Sequence, residues 1–287
     1  MPAMTITYSR RAALKTMGIL GLATTFPRVS AQAEKSKSQI TDADIFNFAL
    51  NLESLETEYY LRGTSGKGMD NADAGANPGT VTGGALVPWK NPDLRQFMEE
   101  VAANELAHVR YYRRVLGEKA VSRPAIDLGA FTAAAKAAGL GENFDPFANE
   151  MNFFLGGMLM EDVGVTAYHG AAPLIKNKEF LDAAAGILAV EAYHMGMARS
   201  VLYQMGPEAR NAANALSDAR DKLDGPTDLD QGIEVEGKAN IVPSNPDGQA
   251  FSRTPQQVLR IVYLAEKSGV SRGALFPNGM NGNVKTT

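Results

Sequence analysis

Apolar residues recur every three to four positions over four long stretches of the chain, separated by segments rich in glycine, proline and asparagine that keep no period. Thr41, with Asp44 three residues on, makes a capping box that predicts a helix to about Arg62, with Gly63 beginning its end. Residues 63–90, with Pro78 and Pro88, predict a long loop, a length uncommon unless the loop is functional or packs as a unit. Asn91-Pro92 pairs a capping residue with a proline suited to the first helical position, and the helical period then runs from Leu94 to Leu116, ending at Gly117. Residues 118–145, containing Pro124, read as a crossover with a short helix around Phe131 to Ala138. Asp145-Pro146 opens a third predicted helix to about Ala172, where Pro173 stops it, and a fourth spans Glu179 to Met205 before Gly206-Pro207.

Two helical hairpins joined by a crossover predict an all-α four-helix bundle over residues 41–206, with no strand-rich region to compete. Residues 207–287 form a C-terminal extension. It holds a short helix (Glu208 to Leu223), an irregular stretch, and a helix capped by Thr254-Pro255 with Gln257 that runs to about Lys267. The tail from Gly269, including Phe276-Pro277-Asn278-Gly279, is expected to pack as an extended arm or to meet a partner subunit, which makes it the candidate route to a homo-oligomer.

The first 33 residues belong to another pattern. Arg10-Arg11 precede a short apolar run from Met17 to Phe26, and Ala31-Gln32-Ala33 suits a peptidase cutting after Ala33. This predicts a cleaved export signal of twin-arginine type and a periplasmic or secreted protein, although Ala13 stands where that pattern usually has Phe and leaves the ordinary secretion route open. The run is too short for a stable membrane anchor.

Composition changes the picture at two points. A formal charge of -4 from 28 basic and 32 acidic residues offers no basic surplus for nucleic acid. The absence of cysteine removes disulfides, thiolate ligands and thiol nucleophiles, so any metal must be held by oxygen and imidazole.

That chemistry is present. Two of the three histidines follow a glutamate by three residues, Glu105-x-x-His108 and Glu191-x-x-His194, each on a predicted long helix where this spacing puts both side chains on one face. The helices align at an offset of 86, Arg113, Val115 and Leu116 matching Arg199, Val201 and Leu202. The first and third helices align at an offset of 108, matching Leu52-Glu53 and Tyr60 to Met160-Glu161 and Tyr168. Glu56 shares the face of Glu53 and competes with it as a ligand, but its counterpart is Gly164, so the repeat favours Glu53 and Glu161. Tyr60 and Tyr168 suit either core packing or a role behind the ligands, as hydrogen-bond donors or electron relays. His169 has no such partner and reads as a surface or packing residue, and Met151, Met158 and Met160 read as core.

One glutamate from each of two helices and Glu-x-x-His from each of the other two resembles the ferritin-like superfamily of di-metal carboxylate proteins. The resemblance implies two metal ions, iron or manganese with zinc as a third candidate, bridged by Glu105 and Glu191 and held terminally by Glu53, His108, Glu161 and His194. A narrower likeness, to the ferritin-like desiccation-related proteins of bacteria and plants, rests on residues 48–53 (FALNLE), 161–168 (EDVGVTAY), 253–263 (RTPQQVLRIVY) and 276–279 (FPNG). It implies the same fold and metal pattern and an association with stress, but no established reaction; with the export signal, the paired metals lead to the expectation of an exported protein that handles oxygen or peroxide under desiccation or oxidative stress, as a di-iron or di-manganese oxidoreductase. The alternative is a non-catalytic protective or interaction protein whose metals only knit the helices together.

Overall fold

The computed structural model describes residues 40–229 and 231–287, and the export signal expected at residues 1–33 lies outside the described residues. The helices are α1 (Asp42–Ser65), α2 (Asn71–Ala74), α3 (Pro92–Leu116), α4 (Phe131–Ala137), α5 (Glu150–Ala171), α6 (Lys178–Gln204), α7 (Pro207–Asp224) and α8 (Pro255–Tyr263). Four two-residue strands complete the set: β1 (Val81–Thr82), β2 (Ile126–Asp127), β3 (Glu234–Val235) and β4 (Lys238–Ala239). Helix α1 packs along α3, α5 packs along α6, and the two pairs meet through α1 and α5, giving the expected four-helix bundle. None of the described helices is long and apolar enough to cross a membrane.

The caps behave as their chemistry dictates. Thr41 and Asp44 form the reciprocal box on α1, Thr254 and Gln257 the one on α8, and Asn91 accepts from Asp93 N and Leu94 N at the start of α3. Three boundaries differ from the sequence expectation. Helix α1 continues through Gly63 to a left-handed cap at Gly66, because Gly63 is a packing notch: a Cβ there would collide with the Phe153 ring of α5. Helix α5 begins at Glu150, since Asp145 Oδ1 accepts from Phe147 N in a turn of its own while Asn149 supplies the helix cap. Helix α8 ends at Tyr263, where Leu264 takes a left-handed conformation (φ 50°) and turns the chain back.

The segment after α1 packs as a unit. Strand β1 pairs in parallel with β2 of the crossover, and Val87 N and Trp89 Nε1 both donate to Gly63 O at 3.0 and 2.9 Å. The tail follows the first of its two expected courses, lying against its own bundle. Phe276 is fully buried, and Asn281 N donates to Asn51 Oδ1 on α1 (2.9 Å) while Asn51 Nδ2 donates back to Asn281 O (2.9 Å).

Burial divides the four long helices into two kinds. Helices α1 and α5 are buried almost all round, α5 continuously from Phe153 to Tyr168. Helices α3 and α6 bury one stripe each, including Met98, Val101, Glu105, His108 and Tyr112 on α3 and Ile187, Glu191, His194 and Ala198 on α6. Every Glu-x-x-His residue therefore faces inward from an outer helix toward a glutamate on a central one.

Candidate metal centre

The six residues singled out by the repeat converge at the middle of the bundle. Ligand atoms of Glu53, Glu105, His108 and Glu191 lie within 4.8 Å of one another, and so do those of Glu105, Glu161, Glu191 and His194. The two sets share Glu105 and Glu191, the pair placed between two ions by the resemblance. His108 Nδ1 is 3.0 Å from Glu53 Oε2 and 3.4 Å from Glu105 Oε2, while His194 Nδ1 is 3.0 Å from Glu105 Oε1 and 3.5 Å from Glu161 Oε2. All four carboxylates are at most 1% exposed.

Donors this deeply buried are ordinarily hydrogen-bonded, yet both oxygens of Glu105, both of Glu191, Glu161 Oε2 and His194 Nδ1 have no hydrogen-bond partner. Five carboxylate oxygens and one imidazole nitrogen thus crowd a shared interior, where imidazole and carboxylate approach one another at 3.0–3.6 Å. Such a set fits divalent cations, and the oxygen–nitrogen donor set matches the metals that bind carboxylate and imidazole.

Without metal, protons must supply the missing positive charge. Burial, reinforced by repulsion from Glu105 and Glu161, pushes the carboxyl of Glu191 well above the usual range. Burial also raises Glu53 to about 7, against the attraction of His108. For Glu105 burial acts upward too, but the approach of His108 and His194 outweighs it and draws the group down to about 2. Burial would lower both imidazoles. The carboxylates around them win, holding His108 at about 11, chiefly through Glu53, and His194 at about 10, chiefly through Glu161. In the metal-free centre both imidazoles and the carboxyls of Glu53, Glu161 and Glu191 therefore hold protons more tightly than usual, while Glu105 gives its proton up more readily.

Two tyrosines cross between the halves. Tyr60 Oη of α1 donates to Glu161 Oε1 (2.5 Å), and Tyr168 Oη of α5 donates to Glu53 Oε1, so each tyrosine orients the glutamate of the opposite half. Of the two roles left open for them, the hydrogen-bonding one is in place. His169 donates from Nδ1 to Ala250 O (2.9 Å) and Phe251 O (3.1 Å), tying the extension to α5 as a packing residue. Met158 and Met160 are buried in the core and Met151 packs at its edge.

Four further features surround the donors, of which the sequence had singled out Glu56 as a competing ligand and had not shown the other three. Glu56 is buried beside the centre, with burial and the charges of Glu105 and Glu161 raising its carboxyl well above the usual range, yet it belongs to neither donor set. Space for it comes from Gly164: a Cβ there would collide with Glu191 Oε2 and lie 3.6 Å from Glu56 Oε1. Asn104 reaches His194 Nε2 at 3.2 Å from a position off the Glu-x-x-His stripe. Tyr112, four residues after His108 on the same face, meets Tyr168 Oη at 2.7 Å. The last feature adjoins the ligands on α5. Asp162 Oδ2 accepts from Arg199 Nη1 (2.8 Å) and Arg220 Nη2 (2.7 Å), all three buried, linking α5, α6 and α7; the Arg113/Arg199 match of the repeat was its one visible trace.

Comparison with known proteins bears on the family and the fold. A family model described as a ferritin-like domain matches residues 41–204. The desiccation-related protein PCC13-62 of Craterostigma plantagineum is 31% identical over 252 residues, covering 79% of each chain. The ferritin-like catalase Nec2 of Nesocodon mauritianus is 28% identical over 265 residues, covering 85% of this chain and 84% of that protein. No solved structure matches. The family match spans more than half of the chain and the likeness to PCC13-62 most of it, so the protein belongs to the ferritin-like desiccation-related family.

Proposed function

We propose that this protein is an exported di-metal carboxylate protein that consumes peroxide or oxygen at its buried centre, limiting oxidative damage during drying or related stress. The observation that carries this reading is the convergence of four buried carboxylates and two imidazoles, with six of their ligand atoms on Glu105, Glu161, Glu191 and His194 making no hydrogen bond. Glu53 and His108 would hold one ion, Glu161 and His194 the other, with Glu105 and Glu191 between them. Four carboxylates then balance two divalent charges, a donor set that favours the higher oxidation states of iron or manganese, while zinc fits the donors without redox chemistry. A bound pair of this kind supplies electrons to, or accepts them from, a single oxygen species.

The chain's own residues complete the site. Tyr60 and Tyr168 fix Glu161 and Glu53. Glu56 is a fifth acid buried beside the centre, where burial and the neighbouring carboxylates raise its carboxyl, and it is the candidate to carry a proton there. Fully buried walls from α1 and α5 exclude bulk water. The catalase name of the Nesocodon relative favours peroxide as the oxidant.

Export rests on Arg10-Arg11 and Ala31-Gln32-Ala33, and intact-mass measurement on exported protein should give a chain beginning near Glu34. The catalytic reading is tested by metal content and peroxide consumption of protein from its native compartment. His108→Ala and His194→Ala should each abolish both, since each motif loses its nitrogen donor. Protein fully loaded with iron or manganese that consumes neither peroxide nor oxygen would sink the redox reading and leave metals that serve only to hold the helices.

A further inference from the structure

The two crossing tyrosines continue in different ways. Tyr60 leads only to Tyr59, 5.3 Å away between ring centroids, and there the phenols end: Tyr59 Oη is spent on Phe153 O (2.8 Å), with Phe131, Phe147 and Phe153 packed around the ring. Tyr168 leads outward. With Glu53 ionised, as a bound metal would keep it, the single hydroxyl proton of Tyr168 goes to Glu53, and the Tyr112 hydroxyl is then the donor in the 2.7 Å contact between the two oxygens. The Tyr112 ring in turn meets Tyr111 edge-on at 5.8 Å, and Tyr111 is only partly buried, with the exposed Arg114 over its face.

From this we infer that Tyr168, Tyr112 and Tyr111 form a one-electron path between the metal pair and the surface, serving a small reductant of the phenol or ascorbate class in solution. The inference rests on the redox reading above. With an oxidised metal pair held by these residues, Tyr168 would supply one electron and pass its phenolic proton to Glu53. Tyr112 then gives an electron and its proton to Tyr168 along the bond between their oxygens. Tyr111 next reduces Tyr112 and releases its own proton to water, while the protons on Tyr168 and Glu53 step back along the same two hydrogen bonds. The net change is one electron and one proton lost from Tyr111, both restored by the external reductant and solvent. Such a path would discharge an incompletely reduced centre without oxidising the core.

The test drives electrons through the path without peroxide. Full-length mature protein loaded with manganese(II) is flashed with a soluble ruthenium photo-oxidant, and loss of the manganese(II) signal is read by electron paramagnetic resonance. Tyr112→Phe, which keeps the ring packing, should cut metal oxidation per flash at least tenfold, and Tyr111→Phe should do the same. Tyr59→Phe, on the closed branch, should leave it unchanged. Equal metal oxidation in Tyr112→Phe and Tyr59→Phe proteins of verified fold and metal content would overturn the path. Peroxide turnover on the same samples separates the two ideas. Path-dependent oxidation without peroxide consumption keeps the path and removes the catalytic reading, peroxide consumption with a silent path does the reverse, and a chain that retains no metal overturns both.

Discussion

The α1–α3 pair and the α5–α6 pair carry the same donors at the same spacing, yet the structure surrounds them differently. On the α1–α3 side Glu56 occupies the position where α5 has Gly164, His108 has no neighbour corresponding to Asn104, and Tyr168 opens toward the surface. On the α5–α6 side the helices bear the weight of the extension: Asp162 binds Arg199 and Arg220, and Arg253 binds both Asp224 (2.6 Å) and Thr166 Oγ1 (2.8 Å). The nearest analogue in the first pair is Glu58, which takes Arg62 and Arg123, two partly exposed arginines. A duplicated ligand frame has thus become one half tuned for access and proton content and another tied down by buried charge. The repeat is preserved at the six donor positions and at matches such as Tyr60/Tyr168 and Arg113/Arg199, and it is lost at Glu56/Gly164 and Asn104/Val190.

The largest effect should come from removing what the halves share. Stripping metal takes away positive charge balancing four buried carboxylates, and with each site far above its dissociation constant the melting temperature should fall by roughly 15 °C or more, read by calorimetry. The fall should depend on pH. In the metal-free fold Glu53, Glu56, Glu161, Glu191, His108 and His194 all hold their protons more tightly than in an unfolded chain. The folded state therefore binds more protons, and its stability drops as pH rises, first through the range from 4.5 to about 7 set by Glu53 and then from 6.5 to about 10 and 11 set by His194 and His108. Glu105, drawn down to about 2, acts oppositely but only in acid. Metal competes with those same protons, so its affinity rises with pH and the gap between loaded and stripped protein widens. An unchanged transition after verified chelation would remove the metal from the account altogether.

Asp162→Asn probes the tied-down half. It takes away the charge shared by two buried arginines and should cost about 3–5 kcal/mol in urea unfolding of the loaded protein. Glu58→Gln, its counterpart beside more exposed arginines, should cost less. Equal costs would mean that burial of the arginines is not what distinguishes the halves.

Ligand roles come next. Glu53→Gln keeps the side chain's size and its acceptor for Tyr168 while removing the charge, so occupancy of at least one metal should fall, by metal analysis after dialysis. Glu56→Gln should leave both metals bound, because Glu56 lies outside both donor sets. The reverse ranking would show that the first half does not follow the second.

Much of this was legible in the chain because the metal frame is written in periodicity. Two Glu-x-x-His motifs and two aligned glutamates fix faces of helices, and caps fix where the helices begin. What sequence concealed depended on neighbours distant in the chain. Gly63 reads as a terminator and is a notch for Phe153; Gly164 reads only as a non-ligand and is the space that admits Glu191 and Glu56. Glycine's local propensity cannot report which side chain another helix will place against it. The turn at Asp145-Pro146 misled for a similar reason, since an Asx turn and a helix cap begin with the same residues. Asn104 was invisible because a lone amide beside a glutamate has no period at all.

Asn104 supplies the smallest expected effect and the finest test of the comparison. For His194 to present Nδ1 to a metal as a lone-pair donor, its proton must sit on Nε2, the nitrogen 3.2 Å from the Asn104 amide. Asn104 Nδ2 faces that nitrogen here, and with the amide turned over its oxygen accepts the Nε2 proton, fixing both the tautomer and the ring's orientation. The repeat places Val190 at the matching position before Glu191, and valine cannot accept a hydrogen bond, so His108 lacks the same hold. Asn104→Ala should therefore weaken one metal about tenfold, with the other unaffected, in a titration that resolves two sites. Asn104→Asp should retain tight binding, since a carboxylate still accepts from Nε2. Val190→Ala should change neither affinity, and if it weakens binding as much as Asn104→Ala, packing over the histidines would account for the loss and the asymmetry between the two imidazoles would disappear.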